Sequence, residues 1–179
     1  MTQIGSVYAE ALYALAKDEG CYETVLKEIK ALDEAFHAEP EFLRLLAAPN
    51  LSKDERCNIA DASLRDKVNP YVLNFIKILI EKGYIRYFSD SVKAYRQIYN
   101  RDNSVLEVTA LTAAPMTEQQ KAALKEKISS MTGKTVELVC RVDPACLGGV
   151  RLDYDGKRVD DTVANRLASI GNLLKNTVL

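Results

Sequence analysis

The chain has 179 residues, of which 47% are hydrophobic and 27% are charged, a balance typical of a globular protein and not of a disordered one. Its formal net charge is −1, which argues against general nucleic-acid binding, because that requires a basic field to attract phosphates. No apolar run approaches the ~20 residues that span a bilayer, and the N-terminus lacks the basic start of a signal peptide, so we expect no direct insertion into a membrane.

The first hundred or so residues show helical periodicity of their apolar side chains. Glycines, prolines and capping residues interrupt this periodicity at Gly20, Pro49, Ser52–Glu55, Asn69–Pro70 and Gly83. The pattern predicts six helices, of which the sixth runs from about Tyr84 to Asp102.

The fifth predicted helix, within YVLNFIKILIEKG, is apolar nearly all round. A surface helix needs only one apolar stripe, so the additional apolar residues favour one of two arrangements. Either the helix is central in its bundle, or it leaves an apolar strip open to a partner. Periodicity alone leaves both interpretations open.

Near Asn103 the period of the apolar residues changes from that of helices to that of strands. VLEVTALTA and TVELVCRV both alternate, and a T-x-x-Q capping box at Thr117 predicts a helix between them. After Pro144, the stretch CLGGVRLDYDGKRVDD predicts a hairpin, since the pair Asp155-Gly156 is flanked by apolar residues. The last predicted helix has apolar residues on one face: Val163, Leu167, Ile170 and Leu174.

The order of these elements predicts an α+β fold. Residues 1–104 are expected to form a six-helix bundle, and residues 105–179 a small α/β module with the order β-α-β-β-β-α.

Two motifs that suggest phosphate or proton chemistry fail on spacing and context. Gly133-Lys134-Thr135 lacks the upstream glycine of a phosphate-binding loop and follows a helix instead of preceding one. We expect Gly133 to end that helix in the left-handed conformation. Asp160 and Asp161 are expected to cap the start of the last helix, because nothing indicates the pocket that an acid–base pair requires.

Metal, cofactor and nucleophile sites are not expected either. The chain has one histidine, His37, and its four cysteines show no C-x-x-C spacing: Cys21, Cys57, Cys140 and Cys146. We therefore expect reduced thiols, no metal, no cofactor and no catalytic constellation. These observations predict a protein that is not an enzyme.

Three stretches spread along the chain carry a further signal: YAEALYALAKDEG, NFIKILIEKGYIRYF and LGGVRLDYDGKRVDDTVANRLASI. In this order they resemble the family of the F-type ATP synthase delta subunit, which includes the oligomycin sensitivity-conferring protein, and the resemblance extends over essentially the whole length. In the third stretch, five residues match the family's sequence pattern, and we call them the fingerprint residues: Gly148, Gly149, Asp160, Arg166 and Leu167. Asp161 and Thr162 stand where the family usually has glycine and serine.

The resemblance implies a non-catalytic stator subunit, which connects the catalytic head to the peripheral-stalk b subunits and lets the head resist rotor torque during proton-driven ATP synthesis. In the family, a groove between helices one and five receives the N-terminal helix of the alpha subunit. The corresponding candidates are Tyr8, Ala11, Leu12, Leu15, Phe75, Ile78 and Leu79, some of which must serve the bundle core. The α/β module would link to the stalk, and the protein would lie at the cytoplasmic face of a bacterial cell membrane through its partners.

Two alternatives from other classes remain. A small RNA-binding adaptor would use the α/β module, with Gly148-Gly149 and Lys157-Arg158 near the nucleic acid. The acidic pI and the few aromatic residues available for stacking weigh against it. A nucleotide-binding enzyme is disfavoured by the broken phosphate-loop motif.

Overall fold

The computed structural model describes residues 3–169. The chain divides into two compact units, Met1–Tyr99 and Asn100–Leu179. Helices fill the first unit and a four-stranded sheet organises the second, so the predicted α+β class is confirmed. The predicted boundary after residue 104 stays a prediction, and the predicted helix positions Ile170 and Leu174 lie outside the described residues.

The helices of the first unit follow the predicted order along the chain. They are α1 (Gln3–Asp18), α2 (Tyr22–Ala38), α3 (Pro40–Leu46), α4 (Lys53–Leu64), α5 (Pro70–Glu81) and α6 (Phe88–Asp102).

Two of the predicted helix starts are capped as the sequence indicated. The Ser52 hydroxyl accepts a hydrogen bond from the Glu55 amide (3.2 Å), and the Glu55 carboxylate accepts one from the Ser52 amide (2.8 Å). The Asn69 side chain accepts a hydrogen bond from the Tyr71 amide at 2.9 Å. Each cap satisfies amides that have no partner within their own helix.

The predicted start of the sixth helix at Tyr84 was wrong. Gly83 has a φ of +75°, and the Tyr84 amide still donates to the Leu79 carbonyl of α5. A 3₁₀ turn, Ile85–Tyr87, follows before α6 begins at Phe88. The left-handed glycine redirects the chain, so Tyr84 completes the end of α5 and does not start a new helix.

Aromatic side chains join the helices in the core of the first unit. The rings of Phe36 and Phe88 are 5.0 Å apart, and those of Tyr13 and Tyr95 are 5.2 Å apart, both edge-to-face. Tyr95 is buried, and its hydroxyl donates to the Tyr22 carbonyl at 3.0 Å. Burial raises the pKa of Tyr95, so the phenol stays neutral and keeps its role as a donor.

The second unit is a mixed sheet with the strand order β2-β1-β3-β4. Its elements are β1 (Val105–Thr112), α7 (Glu118–Thr132), β2 (Thr135–Val142), β3 (Val150–Tyr154) and β4 (Lys157–Asp160), and residues 163–169 are helical. β1 pairs with β2 in parallel across the α7 crossover, and the other pairs are antiparallel. Leu106, Val108 and Val136 form its buried centre, against which Ile128 of α7 packs.

The glycines of the rejected phosphate motifs have structural roles in this unit. Gly133 is left-handed (φ +69°), ends α7 and donates to the Ser129 carbonyl at 2.8 Å, as predicted. Asp155 and Gly156 have φ values of +46° and +71°. Positive φ at both central residues belongs to the tight hairpin turn that joins two strands directly, which confirms the predicted hairpin.

Candidate functional site

Helix α1 carries two apolar stripes instead of one. Its buried stripe consists of Gly5, Ala9, Leu12, Tyr13 and Ala16. The second stripe faces solvent in this chain: Val7 is 59% exposed, Leu15 is 42% exposed, Ala11 is exposed and Tyr8 is half-buried. One apolar stripe is enough to hold a helix in a bundle. An additional apolar stripe in contact with water is typical of a protein-binding surface.

Helix α5 packs against α1 and adds one exposed apolar residue. Ile78 is 37% exposed, whereas Phe75 and Leu79 lie in the core. The seven predicted groove residues are therefore divided by burial. Leu12, Phe75 and Leu79 are core residues in the isolated chain, while Ala11, Leu15 and Ile78 are exposed and Tyr8 is half-buried.

Three tyrosines lie together in this region of the first unit: Tyr8, Tyr84 and Tyr87. The sequence did not indicate Tyr84 or Tyr87 as candidate site residues. The ring of Tyr84 lies 5.9 Å from that of Tyr8 and 6.2 Å from that of Tyr87. Such amphipathic rings are enriched at protein interfaces. The aromatic spacing within GYIRYF was the available signal, but only the connection after α5 brings these residues beside α1.

A polar contact ties the end of α1 to the start of α5. Glu19, just after α1, accepts a hydrogen bond from the Tyr71 hydroxyl, and this bond raises the pKa of Tyr71. The two helices that carry the exposed apolar residues are thus joined at one end by a hydrogen bond as well as by packing.

The fingerprint residues of the second unit form a close junction between β3 and the terminal helical segment. Gly149 has a φ of +78°, and a Cβ at this position would lie 2.4 Å from the Asp161 carbonyl oxygen. The Asp161 amide donates to the Val150 carbonyl at 3.1 Å, and the Val163 amide donates to the Gly148 carbonyl at 3.0 Å. Only glycine fits at position 149, since any side chain would displace this backbone.

The expected capping role of Asp160 and Asp161 is corrected by the structure. Thr162 is the residue whose hydroxyl accepts from a helix amide, that of Asn165 at 3.2 Å. Asp160 supports the cap by accepting from the Thr162 amide (3.1 Å) and hydroxyl (2.7 Å), and these bonds lower the pKa of Asp160. Sequence position alone did not show that Thr162 is the capping residue and that Asp160 holds Thr162 in place.

The other fingerprint residues have different environments. Arg166 donates to the Asp161 carboxylate through Nε (3.0 Å) and Nη2 (2.5 Å). Leu167 is exposed, as is Val163 one turn earlier. Asp161, which departs from the family pattern, is therefore paired with Arg166 five residues later. The exposed side chains of Val163 and Leu167 are available to a partner.

The described residues offer little for other chemistry. Among residues 3–169, no group of three or more His, Cys, Asp or Glu side chains could hold a metal ion. The carboxylate of Asp153 pairs with Arg158 at 2.7 Å, which neutralises a cation that the RNA-binding alternative requires. No helix in this part of the chain is both long enough and apolar enough to cross a bilayer.

Comparison with known proteins identifies the family. The model described as "ATP synthase delta (OSCP) subunit" matches residues 4–174. The chain belongs to this family. A curated ATP synthase subunit delta from Alkaliphilus oremlandii is 34% identical over 96% of both chains. A second, from Clostridioides difficile, is 31% identical over 98% of this chain and 97% of the relative.

Solved structures share the fold of this delta-family chain. A chain of the Toxoplasma gondii mitochondrial ATP synthase hexamer matches 97% of this chain and 98% of its own length, with a TM-score of 0.76 and 19% identity. A chain of the Polytomella F-ATP synthase matches 55% of this chain with a TM-score of 0.51 and 19% identity. As a delta (OSCP) subunit, the chain is a structural, non-catalytic component of the ATP synthase complex, in agreement with the sequence analysis.

Proposed function

We propose that this chain is the stator subunit that joins the catalytic head of a bacterial ATP synthase to its peripheral stalk. The observation that carries the proposal is the second, solvent-facing apolar stripe of α1 in a chain of the delta (OSCP) family. A subunit without an active site acts through what it binds. This role requires two separate binding surfaces and a fold that withstands force between them.

The head-binding surface is proposed to be the α1–α5 stripe, which we define as Val7, Tyr8, Ala11, Leu15 and Ile78. Its occupant would be the N-terminal amphipathic helix of the alpha subunit, which would lay its own apolar face on the stripe. Small Ala11 lies between larger apolar residues and would allow the partner backbone to approach closely. Leu12, Phe75 and Leu79 would support the stripe from the core beneath it.

The affinity of this surface alone is expected to be moderate. Burial of three or four apolar anchors contributes roughly 5–10 kcal/mol before costs. Association and the ordering of a partner helix cost several kcal/mol. A stator that must stay attached under load therefore needs its second surface as well.

The second surface is proposed to lie in the sheet-containing unit and to bind the peripheral-stalk b subunits. Exposed Leu167 and Val163 support this assignment, because two apolar side chains one turn apart can meet the apolar face of a partner helix. The subunit would then be peripheral to the cytoplasmic face of the membrane, held there by its partners.

The head-binding assignment can be tested with Ala11→Trp in the full chain. We expect binding of an alpha-subunit N-terminal peptide, measured by titration calorimetry, to weaken at least ~10-fold, since an indole would occupy the space that the peptide needs. Ala31→Trp is the matched control, because Ala31 is also exposed on a helix of the same unit but lies on α2. A folded Ala11→Trp variant with unchanged affinity would refute the assignment.

We also propose that residues 1–104 form a six-helix bundle that folds without the rest of the chain. Its aromatic core joins helices of the first unit only. Circular dichroism of the isolated fragment should show a helical spectrum and a cooperative thermal transition. A fragment with a disordered spectrum would contradict the division at residue 104, and leaves the binding test on the full chain unaffected.

A further inference from the structure

Strand β2 is an edge strand of the sheet formed within residues 3–169. The strand order places β2 at one end, with β1 as its neighbour on one side. The Thr135 amide donates to Ser104 at 3.0 Å, and the Asp143 amide donates to Thr112 at 2.9 Å. Odd-numbered residues of this parallel strand therefore direct their backbone groups toward β1. The even-numbered ones, residues 136, 138, 140 and 142, direct theirs outward.

These outward groups make no further hydrogen bonds within the described part of the chain. The strand is eight residues long, its pairing with β1 is continuous from Thr135 to Val142, and it contains no proline or bulge. Natural proteins usually shorten, bend or cover such an edge, because an unpaired edge accepts another strand. A second strand could therefore add to β2 without displacing a backbone hydrogen bond among the described residues.

We propose that β2 pairs with β2 of a second copy of this chain, in an antiparallel register centred on Val139. A twofold axis at Val139 places Glu137 opposite Arg141 of the second copy, and the reverse pair forms on the other side of the axis. Both residues are exposed, and Val139 between them is 41% exposed. The outer face of the joined strands would then show two cross-strand ion pairs around a central pair of valines.

Other symmetric registers are less favourable. An axis at Glu137 or at Arg141 places that residue opposite its own copy, so that like charges meet. An axis at residue 140 places Glu137 opposite Asp143 of the second copy. An axis at residue 138 places Glu137 opposite valine and leaves the charges without cross-strand partners. The charge pattern of the strand therefore selects the register at Val139.

The hydrogen-bonding phase of the strand agrees with the same register. The outward backbone groups of residue 138 fall opposite those of residue 140 in the second copy, and those of 136 fall opposite those of 142. Val139 then lies in a non-hydrogen-bonded pair, in which the Cα atoms are about 4.5 Å apart. That separation is within the range that a disulfide spans, about 4.4–6.8 Å.

The contact is expected to be weak and dependent on concentration. Two paired strands bury less surface than the ~1,200 Å² of a standard stable interface. The dimer should therefore form in concentrated samples of the free chain. This inference rests on the sheet edge and is independent of the proposed stator role.

Disulfide trapping tests the register in the full chain. In a Cys140→Ser background, Val139→Cys should give a covalent dimer on a non-reducing gel after mild oxidation at ~100 µM, a concentration chosen for a weak interface. Glu137→Cys is the matched control on the same face, since its counterpart would lie four residues away, about 14 Å along the strand. Equal cross-linking at both positions, or none from a folded Val139→Cys variant, would overturn the proposal.

A charge exchange supplies a second test that introduces no cysteine. Glu137→Lys alone and Arg141→Glu alone each place like charges in both pairs, so each variant should sediment as a monomer at a concentration where the unmodified chain dimerises. A mixture of the two variants should recover the dimer, because in the mixed dimer the introduced lysine faces the introduced glutamate and the other pair remains a native Glu137–Arg141 pair. Failure of the mixture to associate, or undiminished self-association of either single variant, would contradict the register.

Discussion

Replacement of Gly149 by alanine is expected to destabilise the second unit strongly. Its φ of +78° costs a non-glycine residue roughly 1–2 kcal/mol. The new Cβ would also lie 2.4 Å from the Asp161 carbonyl oxygen and 3.1 Å from the Thr162 Cα, both backbone atoms that move only with the chain. Overpacking of this kind costs about 1–3 kcal/mol. We therefore expect a total loss of about 2–5 kcal/mol, a large part of the stability of a small domain.

Gly156→Ala separates the two contributions. Gly156 has a nearly equal φ, +71°, but a Cβ there would meet nothing within 4 Å. It should therefore lose only the roughly 1–2 kcal/mol of backbone strain. Urea titration of the full chain, with hydrogen exchange of peptides from β3 and β4 as the probe, measures both variants. Equal losses would show that the approach of Asp161 does not constrain position 149, and would refute the steric argument.

Three further effects follow from the structure. Thr162→Ala should lower the stability of the second unit by about 1 kcal/mol through loss of the helix cap, while Thr162→Ser should retain most of it in the same urea titration. Tyr95→Phe should lower the stability of the first unit by about 0.5–1.5 kcal/mol, because the hydrogen bond from the buried Tyr95 hydroxyl to the Tyr22 carbonyl is lost; an unchanged midpoint would contradict this. Asp61 has a pKa lowered chiefly by its hydrogen bond to Lys77, so its contribution to stability is present above pH ~4 and is lost as the pH falls through the folded-state pKa. The stability difference between the wild type and Asp61→Asn should accordingly shrink as the pH falls below ~4, and a difference that does not change with pH would refute the assignment.

The elements of the fold were largely predictable because their signals are local. The capping box at Ser52 and the left-handed Gly133 each act within one helix turn, so residue spacing was sufficient. The Asp155-Gly156 turn was predictable for the same reason. The start of α6 was not, because the turn after Gly83 depends on how α5 ends.

The candidate site was less predictable than the elements. Residues 12 and 11 of α1 are both apolar, yet Leu12 lies in the core and Ala11 faces solvent. Periodicity detects apolar positions, but the packing of α1 on its neighbours decides which stripe is buried. The place of Tyr84 beside Tyr8 could not be predicted for a similar reason. The two residues are far apart in the sequence, and only the packing of the helices brings their rings together.

The topology of the sheet has a mechanical consequence for a subunit that transmits load. A tensile force applied between Val105 and the residue after Asp160 acts on opposite ends of the sheet. The reason is that β4 runs in the same direction as β1, and the last residue of β4, Asp160, lies opposite Arg151 of β3. Such a pull shears β1 against β3 along their length. The hydrogen bonds between these strands share the force simultaneously and do not open one after another. Rupture then requires many bonds to fail together, a suitable property for a part that must not yield while a motor turns.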